Sequence, residues 1–289
     1  MKQLSIIIPH YNSPESLDKL LDSIPRHPWL NIIVVDDNSE HQPDIKDKTN
    51  CTLYTLPSDK KGAGAARNYG LKRLNSDWVL FADADDYFVE NAFDTIQEEM
   101  NSEFDSIYFL PTSYNHKIRQ IGARHQAYEN LLLTYQHTQD KSLLYRFFVP
   151  WSKLVSTKLI KEHRINFDEV IASNDMNFSL KVAYYAQTTK VCNSTIYCVT
   201  ESNNSLTKQV TESVLDSRFY AAGRYNQFCQ DHSIPQYQLG MSLQIYYARK
   251  FGFKKTLSLI KYSIKNNYPL FRGLKHLFKV IKKDLFESK

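Results

Sequence analysis

Trp78-Val79-Leu80-Phe81-Ala82-Asp83-Ala84-Asp85-Asp86 is a run of four large apolar residues that ends in three carboxylates. The apolar part reads as a short strand buried on both faces. Carboxylates just past a buried strand need hydrogen-bond donors or a cation, because an unpaired charge at such a place is costly. In extended backbone, residues two apart point the same way, so Asp83 and Asp85 can converge on one ion. A Mg²⁺ or Mn²⁺ held by one or two carboxylates typically completes its coordination with phosphate oxygens and water. By itself the run favours a plainer reading, a capped strand end followed by an acidic turn, so the flanking sequence decides.

Upstream, two more apolar runs end in the same polar way. Leu4 to Ile8 is a strand that Pro9 is expected to close, followed by His10-Tyr11-Asn12; Ile32 to Val35 runs into Asp36-Asp37-Asn38-Ser39. Between them, Ser13 and Pro14 mark a helix start, and Leu17, Leu20, Leu21 and Ile24 recur at helical spacing. Leu53 to Leu56 is a weaker strand. Lys61-Gly62-Ala63-Gly64-Ala65-Ala66-Arg67-Asn68-Tyr69-Gly70-Leu71 reads as a close-packed helix start. Strands alternating with helices predict a mostly parallel α/β sheet. In an open parallel sheet, ligands bind beyond the carboxyl ends of the strands. Polar groups from the three segments ending near residues 12, 38 and 86 would meet on that edge.

Downstream, Ala92, Phe93, Ile96 and Met100 predict a helix, and Ser106 to Pro111 a strand. The stretch from Tyr114 to Phe148 shows no periodicity that assigns it. Trp151-Ser152-Lys153-Leu154 precedes a short helix near Thr157 to His163. Asn174 and Asp175 stand at the start of a helix whose apolar face is Met176, Leu180 and Ala183, so a plain capping role for Asp175 stays open. Val191 to Thr200 reads as a strand, and the pattern from about Ser213 is helical.

The 289 residues allow one large domain or two modest ones. Apolar content of 42% and charged content of 23% fit an ordinary globular protein. Cys51, Cys192, Cys198 and Cys229 lack zinc or Cys-x-x-Cys spacing, which predicts free thiols in a reducing cytoplasm. No run approaches the ~20 apolar residues of a membrane span, and the start of the chain does not read as a signal peptide. The net charge of +5 is uneven: residues 240–289 carry +10 and the remainder −5. Within that tail, Leu270, Leu274, Leu277, Phe278, Ile281 and Leu285 form an apolar stripe beside Lys275, Lys279, Lys282 and Lys283. A basic amphipathic helix of this kind is expected either to meet an anionic membrane surface, on the inner face of the plasma membrane, or to pack on the body of the protein. No nucleic-acid module is present, and no nucleic-acid partner is expected.

Four segments taken together, Ser5 to Asn12, Val34 to Ser39, Gly64 to Leu71 and Phe81 to Asp86, resemble the family-two glycosyltransferases of GT-A fold. Trp151 to Leu154 and Asn174-Asp175 extend the likeness over roughly residues 3–200. It implies a GT-A (Rossmann-like) domain with a nucleotide-sugar-binding half at 1–105 and an acceptor and catalytic-base half at 106–205. The basic helical extension at 206–289 is not covered. The resemblance further implies inverting transfer from a nucleotide-sugar donor, usually a uridine diphosphate sugar, to a hydroxyl of a glycan or lipid-linked oligosaccharide in bacterial surface-polysaccharide synthesis.

Carried over by position, Pro9, Tyr11 and Asn12 would line the nucleotide pocket, with Tyr11 stacking on the base. Asp37 together with Asp36 would meet the uracil edge, and Arg67 would help hold the donor. Asp83 would contact ribose or metal, Asp85 would bind Mn²⁺ or Mg²⁺, and Asp175 would be the catalytic base. Trp151 and Asn174 would contact the acceptor. Two positions depart from the family pattern: Asn38 stands where glycine is usual, and Asn174 where glutamate is common. The chemistry suits the residue types, since a positioned carboxylate base typically contributes ~10²–10⁴-fold. Three other readings stay open: a nucleotidyltransferase, a retaining transferase, and a non-catalytic, membrane-associated nucleotide-sugar-binding scaffold on the same fold.

Overall fold

In this computed structural model, residues 1–45, 50–201, 210–272, 277–278 and 281–282 are described. The chain opens with β1 (Leu4–His10), α1 (Pro14–Asp22), β2 (Leu30–Asp36), β3 (Cys51–Thr55), α2 (Ala63–Leu71) and β4 (Trp78–Phe81). β1 lies between β2 and β4 and pairs with both in parallel, while β3 adds in parallel outside β2. Central parallel strands are covered on both faces, which is why these runs are apolar without alternation. Ile6, Ile7 and Ile8 are buried, and full burial of such side chains contributes ~1.5–3 kcal/mol each against the entropy of ordering them.

β1 continues through Pro9 to His10, two residues past the expected stop. Residues of β1 alternate in bonding direction. Ile7 offers its carbonyl to Ala82 on the β4 side, and His10 offers its carbonyl to Asp37 on the β2 side. Pro9 therefore faces the β4 side, beyond the last β4 residue paired with β1, so its missing N–H breaks no ladder bond.

The chain continues through β5 (Tyr87–Phe88), α3 (Ala92–Met100), β6 (Ser106–Asn115), β7 (Gln120–Ile121) and α4 (Gln126–Thr138). A 3₁₀ turn at Lys141–Arg146 then leads to β8 (Lys153–Ser156), α5 (Thr157–Glu162), α6 (Met176–Tyr185) and β9 (Thr189–Glu201). One sheet runs β3-β2-β1-β4-β8-β6-β9-β5, with β7 on β6. Its first four strands are parallel, β8 is antiparallel to both its neighbours, and β6 and β9 form a long parallel pair. The stretch from Tyr114 to Phe148 that carried no clear pattern holds the end of β6, β7, α4 and the 3₁₀ turn. The longest of these, α4, buries only Leu132 and Tyr135, which leaves no apolar period for the sequence to show.

The chain divides into two compact units, Met1–Val170 with Asn174–Ser205, and Ile171–Ser173 with Leu206–Lys289. The first contains the whole sheet. Against the α2 side of that sheet, Phe81, Phe167 and Phe178 pack ring to ring, with centroids 4.0–5.2 Å apart. The second unit is helical, built from α7 (Glu212–Asp231), α8 (Ser242–Ala248) and α9 (Phe253–Lys265). Inside it, buried Asn226 of α7 clamps Leu239, donating to its carbonyl at 2.9 Å and accepting from its N–H at 2.5 Å. Of the expected stripe, Leu274 and Leu285, with Lys275, Lys279 and Lys283, lie outside the described residues.

Candidate active site

The sheet order places β1 at a switch point, since the chain leaves β1 for β2 and β3 on one side and returns to β4 on the other. A crevice opens beyond the carboxyl ends of strands at such a point. Asp37 lies one residue past β2 and Asp83 two residues past β4. With β1 between them, their strands are about 10 Å apart.

Asp36 and Asp37 are adjacent but differently engaged. Asp36 is fully buried and both its oxygens are bonded. The Ser13 N–H donates to His10 Nε2 (3.3 Å), which leaves the proton on Nδ1 to donate to Asp36 Oδ1 at 2.8 Å. Ser39 donates its N–H to Asp36 Oδ2 (3.0 Å) and its hydroxyl to Oδ1 (2.5 Å). Asn12 adds to the same joint, donating its N–H to Ser39 Oγ and accepting from the Glu40 N–H, both at 2.9 Å. These residues fix the two loops at the crevice mouth. Tyr11, between them, is 54% exposed.

Asp37 accepts the Gly62 N–H on Oδ2 at 2.7 Å, whereas its Oδ1 is buried and has no hydrogen-bond partner. Burial raises its pKa, opposed by the Gly62 N–H and the Lys61 charge. Gly62 has φ +90°, a conformation that favours glycine, and it aims its N–H at Asp37.

Arg67, buried on α2, joins the two sides of the crevice. Its guanidinium donates to Asp83 Oδ1 at 2.5 Å and to Asn174 Oδ1 at 2.8 Å, and it lies over the Phe167 ring at 5.2 Å. The approach depends on Gly64, where a Cβ would fall 2.1 Å from the Asp168 carbonyl oxygen and 3.1 Å from Asn174 Cβ. Asn68 clamps the same segment through both the N–H and the carbonyl of Phe167.

The three carboxylates after β4 separate by role. Asp86 is buried and accepts from the Tyr197 hydroxyl (2.9 Å), the Thr200 N–H (2.7 Å) and the Thr200 hydroxyl (3.2 Å). The Tyr197 oxygen in turn accepts the Asp83 N–H at 2.8 Å. Asp83 is bound to Arg67. Asp85 is exposed at the crevice, flanked by protein on one side; loss of water there and the neighbouring Asp83 charge raise its pKa. Two carboxylates that repel one another across such an opening suit a hard divalent cation. Among the described residues, no three His, Cys, Asp or Glu side chains gather as a metal cluster.

Asp175 takes the N-cap position of α6 with helical backbone angles and no side-chain capping hydrogen bond. Burial raises its pKa against the attraction of Arg67 and Lys153, while Asp83 adds repulsion. The base candidate is thus close enough to Asp83 and Arg67 to feel both.

Family membership follows from comparison with known proteins. The profile described as Glycosyl transferase family 2 matches residues 5–164. The chain belongs to glycosyl transferase family 2. It is 24% identical over 207 residues to poly(ribitol-phosphate) beta-N-acetylglucosaminyltransferase TarS of Staphylococcus aureus, covering 68% of this chain. The match spans 35% of that relative, about a third of its length. The crystal structure of S. aureus TarS 1-349 in complex with UDP-GlcNAc superposes with a TM-score of 0.61 at 24% identity, covering 76% of this chain and 66% of that one. Mannosyltransferase PcManGT from Pyrobaculum calidifontis, in complex with GDP-Man and Mn²⁺, gives 0.54 at 13% identity, over 91% and 75% of the two chains. The GT-A fold expected from the sequence is the fold observed, a mixed α/β sheet, mostly parallel, with flanking helices.

Within this family-2 domain two expected contacts have other surroundings. Trp151 is 1% exposed, enclosed by Tyr128, Phe147 and Tyr197, so its ring has no open face for an acceptor. Asn174 holds Arg67. One residue was not singled out in the sequence: Lys153, fully buried on β8, donates to Ser179 Oγ at 3.0 Å and lies over the rings of Tyr108 and Phe147. Burial lowers its pKa to about 7, opposed by the Asp175 charge. Ser179 is one turn after Asp175 on α6, so Lys153 braces the turn that carries Asp175. The signal for it was weak, a lysine between Ser152 and Leu154 at the start of a buried strand.

Proposed function

We propose that this chain transfers a sugar from a uridine diphosphate sugar to a hydroxyl of a glycan or lipid-linked acceptor, with inversion at the anomeric carbon, in the making of a surface polysaccharide. The observation that carries the proposal is the gathering of Asp37, Arg67, Asp83, Asp85 and Asp175 beyond the ends of β2 and β4 and at the start of α6. The buried, partnerless Asp37 oxygen suits a nucleobase N–H, because an acceptor left unmatched costs about 1–3 kcal/mol and a ligand donor removes that cost. Exposed Tyr11 stands beside it as a surface for the base. Asp36 and Asn12 act through the loops they hold.

At the other end of the donor, Asp85 and Asp83 would hold Mn²⁺ or Mg²⁺, and this residue set fits such a cation. When bound, the cation supplies charge stabilisation to the departing diphosphate. Arg67 contributes fixed positive charge to the same end. The anomeric C–O bond to the diphosphate breaks as the acceptor oxygen forms the new bond from the opposite face. Asp175 accepts the acceptor's hydroxyl proton. Its raised pKa makes it a stronger base than a free carboxylate. Arg67 chiefly, and Lys153 to a lesser degree, oppose that rise. The nucleotidyltransferase alternative is less suited, because the Gly62 N–H is spent on Asp37 instead of being open to a phosphate.

Calorimetry with uridine diphosphate, with and without Mn²⁺, tests the reading. Metal-dependent binding is expected in the native chain, and its loss in Asp85→Ala. A native chain that binds no nucleoside diphosphate in either condition would end the proposal.

A further inference from the structure

α9 has two different sides. Inward, Leu259 and Ser263 are buried, and the Tyr262 ring meets Phe219 and Tyr220 of α7 at 5.7 and 5.4 Å. Lys255 is the one lysine of α9 tied to α7, bonded to Glu212 at 3.0 Å and Asp216 at 2.6 Å. Outward, the helix sorts its exposed side chains into two adjoining stripes. Phe253, Leu257 and Ile264 are 79%, 36% and 60% exposed, and at about 100° per residue they fall within roughly 40° of arc. Lys254, Lys261 and Lys265, also exposed, fall within the next arc of similar width. α9 contains no acidic residue. Exposed Arg249 and Lys250 precede it in sequence.

We infer that this outward side of α9 is a docking surface for an anionic lipid bilayer. The basic stripe would lie against the headgroups, with Phe253, Leu257 and Ile264 entering the boundary with the acyl chains. The chemistry separates this partner from the others. Lysines alone would suit a nucleic-acid backbone, but an adjoining stripe of large apolar groups gains nothing there. A second copy of this chain docked through a two-fold axis would bring lysines toward lysines. A bilayer with acidic headgroups satisfies both stripes at once. Among the described residues no helix is long and apolar enough to cross a membrane, so the contact would be peripheral. The surface is separate from the crevice residues, and the inference does not depend on the transferase reading.

Co-sedimentation with vesicles tests it, using phosphatidylcholine with and without phosphatidylglycerol. The native chain should sediment with the acidic vesicles, weaken as salt is raised, and remain in solution with the neutral ones. Lys254→Glu/Lys261→Glu/Lys265→Glu should lose roughly a hundredfold or more in partition, since each basic residue near such a surface is worth about a fivefold factor. Phe253→Ser/Leu257→Ser/Ile264→Ser tests the apolar stripe with all lysines kept, and a comparable loss is expected. Thermal melting of the lysine variant should match the native chain, and the serine variant should melt slightly lower while still unfolding cooperatively, because Leu257 is only 36% exposed. Equal partition of the native chain onto neutral and acidic vesicles would overturn the inference. So would unchanged binding in both variants. A concentration-dependent dimer abolished by the serine variant, with no vesicle binding, would reassign the surface to self-association. Vesicle binding without any nucleoside diphosphate binding would leave this inference standing and remove the transferase reading.

Discussion

Asp37, just past β2, and Asp86, at the junction with β9, are both aspartates beyond a strand end, and burial raises the pKa of both. Their surroundings differ. Asp86 accepts hydrogen bonds from Tyr197 and Thr200, so its oxygens are used within the protein and tie β4's end to β9. Asp37 is bonded on one oxygen and has a buried second oxygen without a partner. Asp37 keeps an acceptor in reserve, and Asp86 consumes its own.

The largest expected effect lies on the open side. Asp175→Asn removes a carboxylate that caps nothing, so the fold should hold while sugar transfer falls by ~10²–10⁴-fold, read as nucleoside diphosphate release with a competent acceptor. Near-native turnover in a folded variant would move the base elsewhere.

Next comes the direct contrast. Asp86→Ala leaves the Tyr197 hydroxyl and Thr200 N–H without their acceptor, and at ~1–3 kcal/mol for each unsatisfied group a urea melt should show a loss of ~2–5 kcal/mol. Asp37→Asn keeps an oxygen for Gly62, removes the charge and puts an NH2 donor in place of the unpartnered oxygen. A raised carboxyl pKa means that ionisation costs the folded state stability above the ordinary carboxylate range. Asp37→Asn should therefore melt slightly higher at neutral pH, with the gain vanishing in acid, while uridine diphosphate affinity falls about tenfold or more. If both substitutions destabilise equally, the distinction between the two regions is lost.

The smallest effect concerns Lys153. Its pKa of about 7, well below the ordinary lysine value of 10.5, means that the unfolded chain binds more protons between those limits, so stability should rise with pH across that window. Lys153→Met should flatten the rise. Without the lysine's charge, Asp175 should also ionise at higher pH, moving the acid limb of kcat/KM upward. A kcat/KM profile unchanged in shape would restrict Lys153 to packing.

The parallel edge was legible because its residues are adjacent in sequence to the feature that positions them. An apolar run followed at once by Asp36-Asp37 or Asp83-Ala84-Asp85-Asp86 is a local pattern. The role of Asp86 was not legible, since its partners lie more than a hundred residues away on β9. Lys153 escaped notice because a lysine is ordinarily read as surface, and only packing of β8 between β4 and β6 encloses it. Trp151 misled in the opposite direction, as an aromatic near a motif invites a ligand role that burial denies. Pro9 failed as a strand terminator because the direction of its missing donor depends on where the neighbouring strand stops. On α9 the two outward stripes emerge only when the buried arc is known.

Gly64 has a wider consequence. The helix bearing Arg67 rests on the backbone of the segment leading to Asp175, with no side chain between them. The spacing between Arg67 and Asp175 is thus gauged by the lack of a single methyl, and a chain that gained one there would keep both side chains while losing the measure between them.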